Sequence, residues 1–309
     1  MESTRQFLRS LGLPGGDAHE LPSSTKRFPD GAQYRVEIPS VEGPEALAAV
    51  FTEADIRGVL VHRVSQGSGG MLLTVGELAA MAEPAAARGV EVSLFARPLA
   101  GWSTGAAARS SGLGALGAQA QGADQLVHVI EDIRRTSETG IRGVLVTDIG
   151  VLQVAALMRA AGELPALSLK VSVQMGLANP ASIRIAEQLG ATTYNVPTDL
   201  TLAQLAAIRA AVDLPLDIYI ESPDDTGGFV RHFEIAEIVR VAAPVYLKFG
   251  LRNAPNIYPS GTHLTPTAVA LSKERVRRAE IGLELLRRYA PDAVGSPQGA
   301  TDLAVPVVT

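Results

Sequence analysis

Short runs of apolar, β-branched residues alternate along the chain with longer stretches rich in Ala, Leu and Glu, beginning at about Gln33. The short runs have the length of buried strands and the longer ones have helical periodicity, so the pattern predicts repeated strand–helix units around a parallel sheet. The predicted strands are Tyr34–Pro39, Gly58–Arg63, Glu91–Arg97, Gly143–Asp148, Ser168–Gln174, Thr192–Val196, Leu216–Glu221 and Val245–Lys248.

A helical stretch follows each predicted strand. The predicted helices are Pro44–Thr52, Val75–Arg88, Asp124–Glu138, Val151–Ala161, Pro180–Leu189, Leu202–Val212, His232–Val241 and Thr267–Tyr289. This number of units in about 260 residues matches an α/β protein of the (β/α)8 TIM-barrel type, and an open doubly wound sheet is the alternative. We expect an irregular N-terminal arm at residues 1–31, a single barrel at 32–290 that ends in a long helix, and a C-terminal tail at 291–309.

One segment of the sequence is nearly repeated. "IRGVLVHR" at Ile56–Arg63 recurs as "IRGVLVTD" at Ile141–Asp148. Both copies fit the end of a helix, a glycine and a buried strand. The similarity therefore reflects either the same local structure without common ancestry or an internal duplication. In either case we expect Arg63 and Asp148 to occupy equivalent strand positions.

Each predicted strand carries a polar residue near its carboxyl end, where barrel proteins place their active sites. In "VYLKF" the two-residue alternation of a strand turns Lys248 inward, while Leu247 and Phe249 face the helix layer. The same test applied to all strands gives a ring of Glu37, His62 or Arg63, Arg97, Asp148, Gln174, Asn195, Glu221 and Lys248. Solvation of strand ends is the simple alternative, but the mixed charges favour a site for a charged ligand.

The predicted catalytic residues are Lys248, Glu221, Asp148 and His263. Lys248 acts as a base or forms a Schiff base if its pKa is lowered, or stays protonated and binds an anion if it pairs with Glu221. We favour the second role slightly, because carboxylates are close at hand. Glu221 or Asp148 would exchange protons with Lys248, and His263 on the loop after the last strand is a further candidate acid or base.

The predicted substrate-binding residues surround these groups. Arg63 and Arg97 suit bidentate capture of a carboxylate or phosphate, although structural ion pairs would explain them equally well. Gln174 and Asn195 would orient the substrate through amide hydrogen bonds. The remaining members of the predicted set are Glu37, His62, Arg252, Asn253 and Tyr258.

Three carboxylates of the predicted site are also candidate ligands of a metal ion. Glu37, Asp148 and Glu221 could hold Mg²⁺ or Mn²⁺, with Gln174 or His62 completing the shell, because hard cations take oxygen ligands. No His-Glu-x-x-His spacing supports such a site, so metal dependence stays open. The chain contains no cysteine, which excludes disulfides, a cysteine nucleophile and a thiolate-bound iron–sulfur cluster.

An unusually long loop, residues 98–122, follows the third predicted strand. It contains a G-x-G-x-x-G pattern at Gly112–Gly117, but the dinucleotide fingerprint leaves a strand directly and enters a helix. Loops of this length are usually lids, interfaces or disordered segments. Trp102, the only tryptophan, either anchors this loop or stacks on a substrate.

Charge and hydropathy exclude several partners. The formal net charge is -5, with 27 basic and 32 acidic residues mixed along the chain, so no basic stripe predicts nucleic-acid binding. No apolar stretch has the length of a membrane span or of a secretory signal, and we expect a cytoplasmic protein. Homo-oligomerisation through the outer helices stays open.

The segment "LKVSVQMGLANPASIRIAEQLGATTYNVPTDLTLAQLAAIR" resembles the U32 peptidase-like family. Gln174 at a strand end, the helix start at Asn179-Pro180 and the following "DLTL" unit carry the resemblance, which extends over about residues 34–263. It implies a barrel core and, by name, peptidase activity. Other family members use cysteine-bound iron–sulfur clusters to hydroxylate RNA bases or quinone precursors, so this sequence resembles a divergent, cysteine-free branch.

Three functions follow from these observations. The leading hypothesis is a lyase- or isomerase-type enzyme that acts on a small anionic metabolite, by proton transfer next to a carbonyl or by carbon–carbon cleavage. The second is a U32-type peptidase or amide hydrolase, although no set of nucleophile, base and acid is visible. The third is a non-catalytic accessory barrel that binds a metabolite or a partner.

Overall fold

A closed barrel of parallel strands forms the centre of the molecule, and neighbouring strands follow one another in chain order. The computed structural model describes residues 1–10, 20–103 and 117–308, so most of the Gly112–Gly117 pattern lies outside the described residues. The strands are β1 (Tyr34–Ile38), β2 (Arg63–Gln66), β3 (Glu91–Phe95), β4 (Gly143–Val146), β5 (Ser168–Val171), β6 (Thr193–Asn195), β7 (Leu216–Glu221) and β8 (Val245–Phe249). The predicted (β/α)8 architecture is confirmed.

The second strand begins where the sequence pattern predicted it to end. Gly58 ends the preceding helix in the left-handed conformation, and the ladder starts only at Arg63, which pairs with Glu37 on β1 and Glu91 on β3. Arg63 is therefore the first residue of β2 and points into the barrel interior, rather than lying at the carboxyl end of the strand. The expected equivalence with Asp148 is wrong, because Asp148 follows β4 and caps the next helix.

Helices pack around the barrel in the expected order. They are α1 (Glu2–Ser10), α2 (Pro44–Arg57), α3 (Val75–Arg88), α4 (Gly122–Glu138), α5 (Ile149–Ala160), α6 (Pro180–Gln188), α7 (Leu202–Ala211), α8 (Ile235–Ala242) and α9 (Thr265–Tyr289). The long C-terminal helix α9 packs along α2 and behind β8. In the described part of the chain, no helix is both long and apolar enough to cross a membrane.

Residues from both ends of the chain cover the amino-terminal end of the barrel. Phe28 from the arm and Leu303 from the tail pack against Tyr246 of β8. The buried guanidinium of Arg35 donates from two nitrogens to the carboxylate of Asp302, at 2.5 and 3.0 Å. These residues cover this end but leave a cavity of about 370 Å³, which Arg35, Glu91 and Tyr246 help to line. A separate cavity lies at the opposite end, where the strands have their carboxyl termini.

Candidate functional site

Six charged side chains fill the centre of the barrel. This ion cluster consists of Glu37, Arg63, Glu91, Lys170, Asp217 and Lys248, all of which are buried. Arg63 donates to Glu91 at 2.7 Å and lies 3.2 Å from Asp217 and 3.3 Å from Glu37. Three acids and three bases give no formal net charge, which is the condition under which ions are tolerated in a dry interior.

Lys170 lies between two carboxylates of the cluster. Its ammonium contacts the Glu37 carboxylate and lies 2.8 Å from Asp217 Oδ2. Burial lowers the pKa of Lys170 to about 8, and the two carboxylates oppose that change. Burial also opposes ionisation of Glu37, but Lys170, Lys248 and Arg63 together hold the pKa of Glu37 far below its usual value.

Lys248 is the member of the cluster nearest to solvent. Its Nζ donates to Asn195 Oδ1 at 2.8 Å, lies 3.3 Å from Glu37 Oε1 and sits 4.5 Å from the centre of the Tyr219 ring. The amide nitrogen of Asn195 donates to the backbone carbonyl of Asp217, which fixes the amide with its oxygen towards Lys248. The ammonium is thus oriented by a carboxylate and an amide oxygen.

A cavity of about 290 Å³ opens above Lys248 at the carboxyl ends of the strands. We call it the mouth cavity. Its polar lining includes Lys248, Arg97, Gln174, Asp225, Asn256 and Tyr258. Four of these were predicted from the sequence, namely Lys248, Arg97, Gln174 and Tyr258. The volume is at the small end of the range for ligand sites, which suits a metabolite rather than a polymer.

Arg97 carries a charge without a matching anion. Its side chain is only 7% exposed, and its guanidinium lies over the rings of Phe95, at 4.1 Å, and Trp102, at 3.9 Å. Within the described ranges no carboxylate pairs with it, and its buried Nε has no hydrogen-bond acceptor. Burial lowers the pKa of Arg97 to about 10, so the group remains cationic at neutral pH.

The loop after β8, residues 251–261, covers one side of the mouth cavity. The hydroxyl of Tyr258 is hydrogen-bonded to Ser40 after β1, and the backbone N–H of Ser260 donates to Ser68 Oγ at 2.7 Å. Burial raises the pKa of Tyr258. The short turn after β7 contributes Asp225, an exposed residue whose pKa is raised by partial desolvation and by the neighbouring Asp224.

Glu221 does not reach Lys248, contrary to the predicted pairing. A register shift between Tyr219 and Glu221 places Glu221 beside Phe249, which faces the helices, instead of continuing the inward row of Asp217 and Tyr219. The carboxylate lies 3.3 Å from His232 Nε2 and accepts the backbone N–H of Arg252 at 3.0 Å. Glu37, and not Glu221, is the carboxylate partner of Lys248.

Asp148 and His62 have structural contacts away from the mouth cavity. Asp148 Oδ1 accepts the backbone N–H of Val151 and caps α5, while Oδ2 accepts the N–H of Ala120. The Nδ1 of His62 accepts the backbone N–H of Val36 at 3.1 Å, and Nε2 donates to the carbonyl of Ser296 at 2.9 Å. Burial lowers the pKa of His62 to about 4, so its imidazole is neutral.

The remaining predicted residues are exposed. His263 lies on the turn at the start of α9, and neither it nor Arg252 or Asn253 lines the mouth cavity. The proposed metal ligands Glu37, Asp148 and Glu221 lie in the barrel centre, on a helix cap and behind β7, so these three do not converge. Across the described residues, no group of three or more His, Asp or Glu side chains is placed to share a metal ion.

Several residues of the site were not predicted. Lys170, Asp217 and Glu91 lie on the inward faces of their strands, one or more positions below the strand end. The same alternation that singled out Lys248 marks them, since "SLKV" and "LDIY" each place a charge between apolar neighbours. The prediction selected a single polar residue from the end of each strand. It therefore left out a second layer of inward-facing charged residues, which lies deeper in the barrel. Asp225 lies in a loop, where no periodicity identifies it.

The fold and the cavity define a TIM-barrel protein with a charged interior and a small polar site at the mouth. The family model of peptidase family U32 matches residues 116–222, about a third of the chain, from the segment before α4 to the end of β7. The resemblance predicted from the sequence is therefore confirmed, and the chain is U32-like over this segment. A comparison with curated proteins gives no match.

The solved structures that match this chain have low sequence identity and TM-scores below 0.5. The U32 peptidase Mk0906 is 17% identical, with 67% of this chain and 75% of that chain covered and a TM-score of 0.41. A putative copper homeostasis protein CutC from Streptococcus agalactiae is 10% identical, with 69% and 98% covered and a TM-score of 0.47. A truncated 3-deoxy-D-arabino-heptulosonate 7-phosphate synthase from Thermotoga maritima is 15% identical, with 89% and 95% covered and a TM-score of 0.46.

Proposed function

We propose that the protein is an enzyme that acts on a small anionic metabolite by acid–base chemistry next to a carbonyl group. The observation that supports this most is that two buried cations, Arg97 and Lys248, line the same small cavity. Arg97 has no counterion within the described ranges, and Lys248 presents an ammonium that Glu37 and Asn195 orient. A ligand with an anionic end and a carbonyl oxygen satisfies both groups.

The chemistry follows from what each group can do. The anionic end of the substrate binds the guanidinium of Arg97, and the carbonyl oxygen accepts a hydrogen bond from Lys248. Asp225 removes a proton from the carbon next to the carbonyl, because a carboxyl group with a raised pKa is a better base than an ordinary one. The electron pair of the broken C–H bond moves on to the carbonyl oxygen, where the ammonium stabilises the developing charge.

Hydrogen exchange tests this proposal directly. In D₂O, the protein should exchange protons next to the carbonyl of short oxo-carboxylates, and proton NMR measures the rate. Lys248→Met should lower that rate by about 10²- to 10³-fold, the usual cost of removing a group that stabilises an oxyanion. Asp225→Asn should lower it as well.

The matched control is Lys273→Met, which makes the same change at an exposed position of α9 and should leave the rate unchanged. An exchange rate in Lys248→Met equal to that of the unaltered protein would exclude the proposed role of this amine. Saturable binding without exchange would instead support a non-catalytic barrel that binds a metabolite.

An amide hydrolase is the second candidate, and one contact favours it. Ser65 lines the mouth cavity and donates a hydrogen bond from Oγ to Glu37 Oε1 at 2.7 Å, which brings a hydroxyl nucleophile next to a carboxylate. The match to a peptidase family points the same way. Cleavage of small peptides that is lost in Ser65→Ala would support this function, and its absence with pure protein would count against it.

A further inference from the structure

The surroundings of Arg97 specify more than a negative charge. A buried cation without a counterion is unfavourable, so the site gains most from a ligand that neutralises it. The rings of Phe95 and Trp102 both lie about 4 Å from the guanidinium carbon and cover it. Aromatic rings stack on the flat face of a guanidinium, so the N–H groups at its edge stay available for hydrogen bonds.

Two further contacts hold Arg97 in place, one with its side chain and one with its backbone. A Cβ atom at Gly69 would lie 3.2 Å from the side-chain carbons of Arg97, so the β2–α3 loop packs directly against the aliphatic part of this side chain. The backbone of Arg97 also hydrogen-bonds to the buried carboxyl group of Asp132 on α4. The direction of the guanidinium edge is therefore fixed by packing before any ligand arrives.

The geometry of the ligand group decides how well it fits such an edge. A carboxylate is planar, so both oxygens accept hydrogen bonds in the plane of the guanidinium. A phosphate or sulfate also binds two nitrogens, but its other oxygens project out of that plane, towards the electron-rich ring faces. The covered guanidinium therefore favours the planar group.

The other end of the cavity adds a second requirement. Lys248 uses two directions for Asn195 and Glu37, and an ammonium has three donors, so one N–H is available to the cavity. A neutral oxygen on the ligand suits this donor, since the ammonium already has a carboxylate partner. The volume of about 290 Å³ restricts the distance between the two ligand groups to a few bonds.

We infer that the mouth cavity selects a short oxo- or hydroxy-carboxylate over phosphate and sulfate esters, and that the Phe95–Arg97–Trp102 stack is the selecting element. This inference deepens the proposed function, because it names the substrate class of the same site. It depends on binding alone, so it can hold even when no reaction takes place.

Trp102 is the only tryptophan in the sequence, so its fluorescence reports on this stack without labelling. The full chain should give a saturable fluorescence change with pyruvate and with glyoxylate. Inorganic phosphate and sulfate should bind at least about tenfold more weakly, because the oxygens that do not bind the guanidinium project out of its plane towards the electron-rich ring faces. Phosphate that binds as tightly as pyruvate would overturn the inference.

Variants separate the charge from the shape of the site. Arg97→Gln should abolish the response. Arg97→Lys should bind carboxylates about tenfold more weakly and lose the preference over phosphate, because an ammonium is a point charge. Arg252→Gln, which removes an exposed arginine outside the cavity, should titrate like the unaltered protein. An unaltered titration in Arg97→Gln would contradict the inference.

Calorimetry provides a readout that does not depend on tryptophan. Trp102→Leu should reduce the ratio of pyruvate to phosphate affinity, even where Arg97 variants fold poorly, and an unchanged ratio would show that the ring does not select. Selective binding without hydrogen exchange contradicts the proposed reaction only. Exchange without selectivity contradicts this inference only.

Discussion

Lys170 is completely enclosed by the barrel, yet its ammonium lies between the carboxylates of Glu37 and Asp217. Transfer of an ion into a dry interior costs several kcal/mol, and only well-placed partners offset that cost. The ion cluster meets this condition with equal numbers of acids and bases. Each member is therefore stabilising only while the others are present.

Removing Lys170 should destabilise the protein strongly. Lys170→Met leaves two carboxylates with fewer cations, and breaking a buried ion pair in this way typically costs about 3 to 5 kcal/mol of unfolding free energy. Urea denaturation of the variant and of the unaltered protein measures the difference. Lys273→Met is the control and should change stability by less than about 0.5 kcal/mol. Equal stability of Lys170→Met and the unaltered protein would show that the cluster is not held by its charges.

At the scale of the element, the position of a side chain depends on details of strand pairing. Inward alternation correctly predicted Lys248, and it also marks Lys170 and Asp217. It failed at Glu221, where a register shift turns the side chain outward, and at Arg63, where the strand starts five residues late. Neither irregularity has a sequence signal, because both depend on how the neighbouring strands pair.

Loop residues were predicted less well than strand residues. Tyr258 was predicted from its proximity to the last strand, and it does reach the mouth cavity. His263, Arg252 and Asn253 come from the same stretch and are exposed. Chain proximity places residues near a site, but only the packing of one loop on another decides which side chains enter it. That packing involves partners from distant parts of the sequence.

The contact between the β2 loop and the β8 loop offers a test of this packing. A Cβ atom at Gly67 would lie 2.5 Å from the Tyr258 ring, so Gly67→Ala should displace the ring and distort the cavity. We expect a loss of about tenfold in affinity for short oxo-carboxylates, measured by calorimetry, since displaced positioning groups commonly cost at least this much. Gly76→Ala, where nothing lies within 4 Å of the added atom, should bind normally. Normal binding by Gly67→Ala would show that Tyr258 does not shape the site.

At the scale of the whole molecule, the two ends of the barrel have different tasks. The two ends of the chain cover the amino-terminal end of the barrel through the Arg35–Asp302 ion pair and the contact of His62 with Ser296. The carboxyl end holds the mouth cavity and the candidate chemistry. The overall architecture was predictable because helix and strand periodicities recur along the whole chain. The path of the C-terminal tail across the amino-terminal end of the barrel was not predictable, because the sequence of the tail has no periodicity.

His62, at the amino-terminal end of the barrel, should make stability depend on pH. Burial gives His62 a pKa of about 4 in the folded protein, below the ordinary 6.5 of the unfolded chain. As the pH falls through this interval, only the unfolded state takes up the proton, so stability falls. Between pH 7 and pH 4.5 the loss from this group is about 2 to 3 kcal/mol.

Urea denaturation at both pH values, in the unaltered protein and in His62→Gln, isolates this contribution. Between pH 7 and pH 4.5, the unfolding free energy of His62→Gln should fall by about 2 to 3 kcal/mol less than that of the unaltered protein, since glutamine does not titrate. Other groups contribute equally to both proteins and cancel in the comparison. Identical losses in the two proteins would show that His62 is not the group responsible.

A crystal structure of the protein grown with a short oxo-carboxylate such as pyruvate tests the central proposal most directly. We predict density in the mouth cavity with the carboxylate in the plane of the Arg97 guanidinium and the oxo oxygen within hydrogen-bond distance of Lys248 Nζ. Water alone in that cavity at a saturating ligand concentration, or a ligand bound elsewhere, would contradict it.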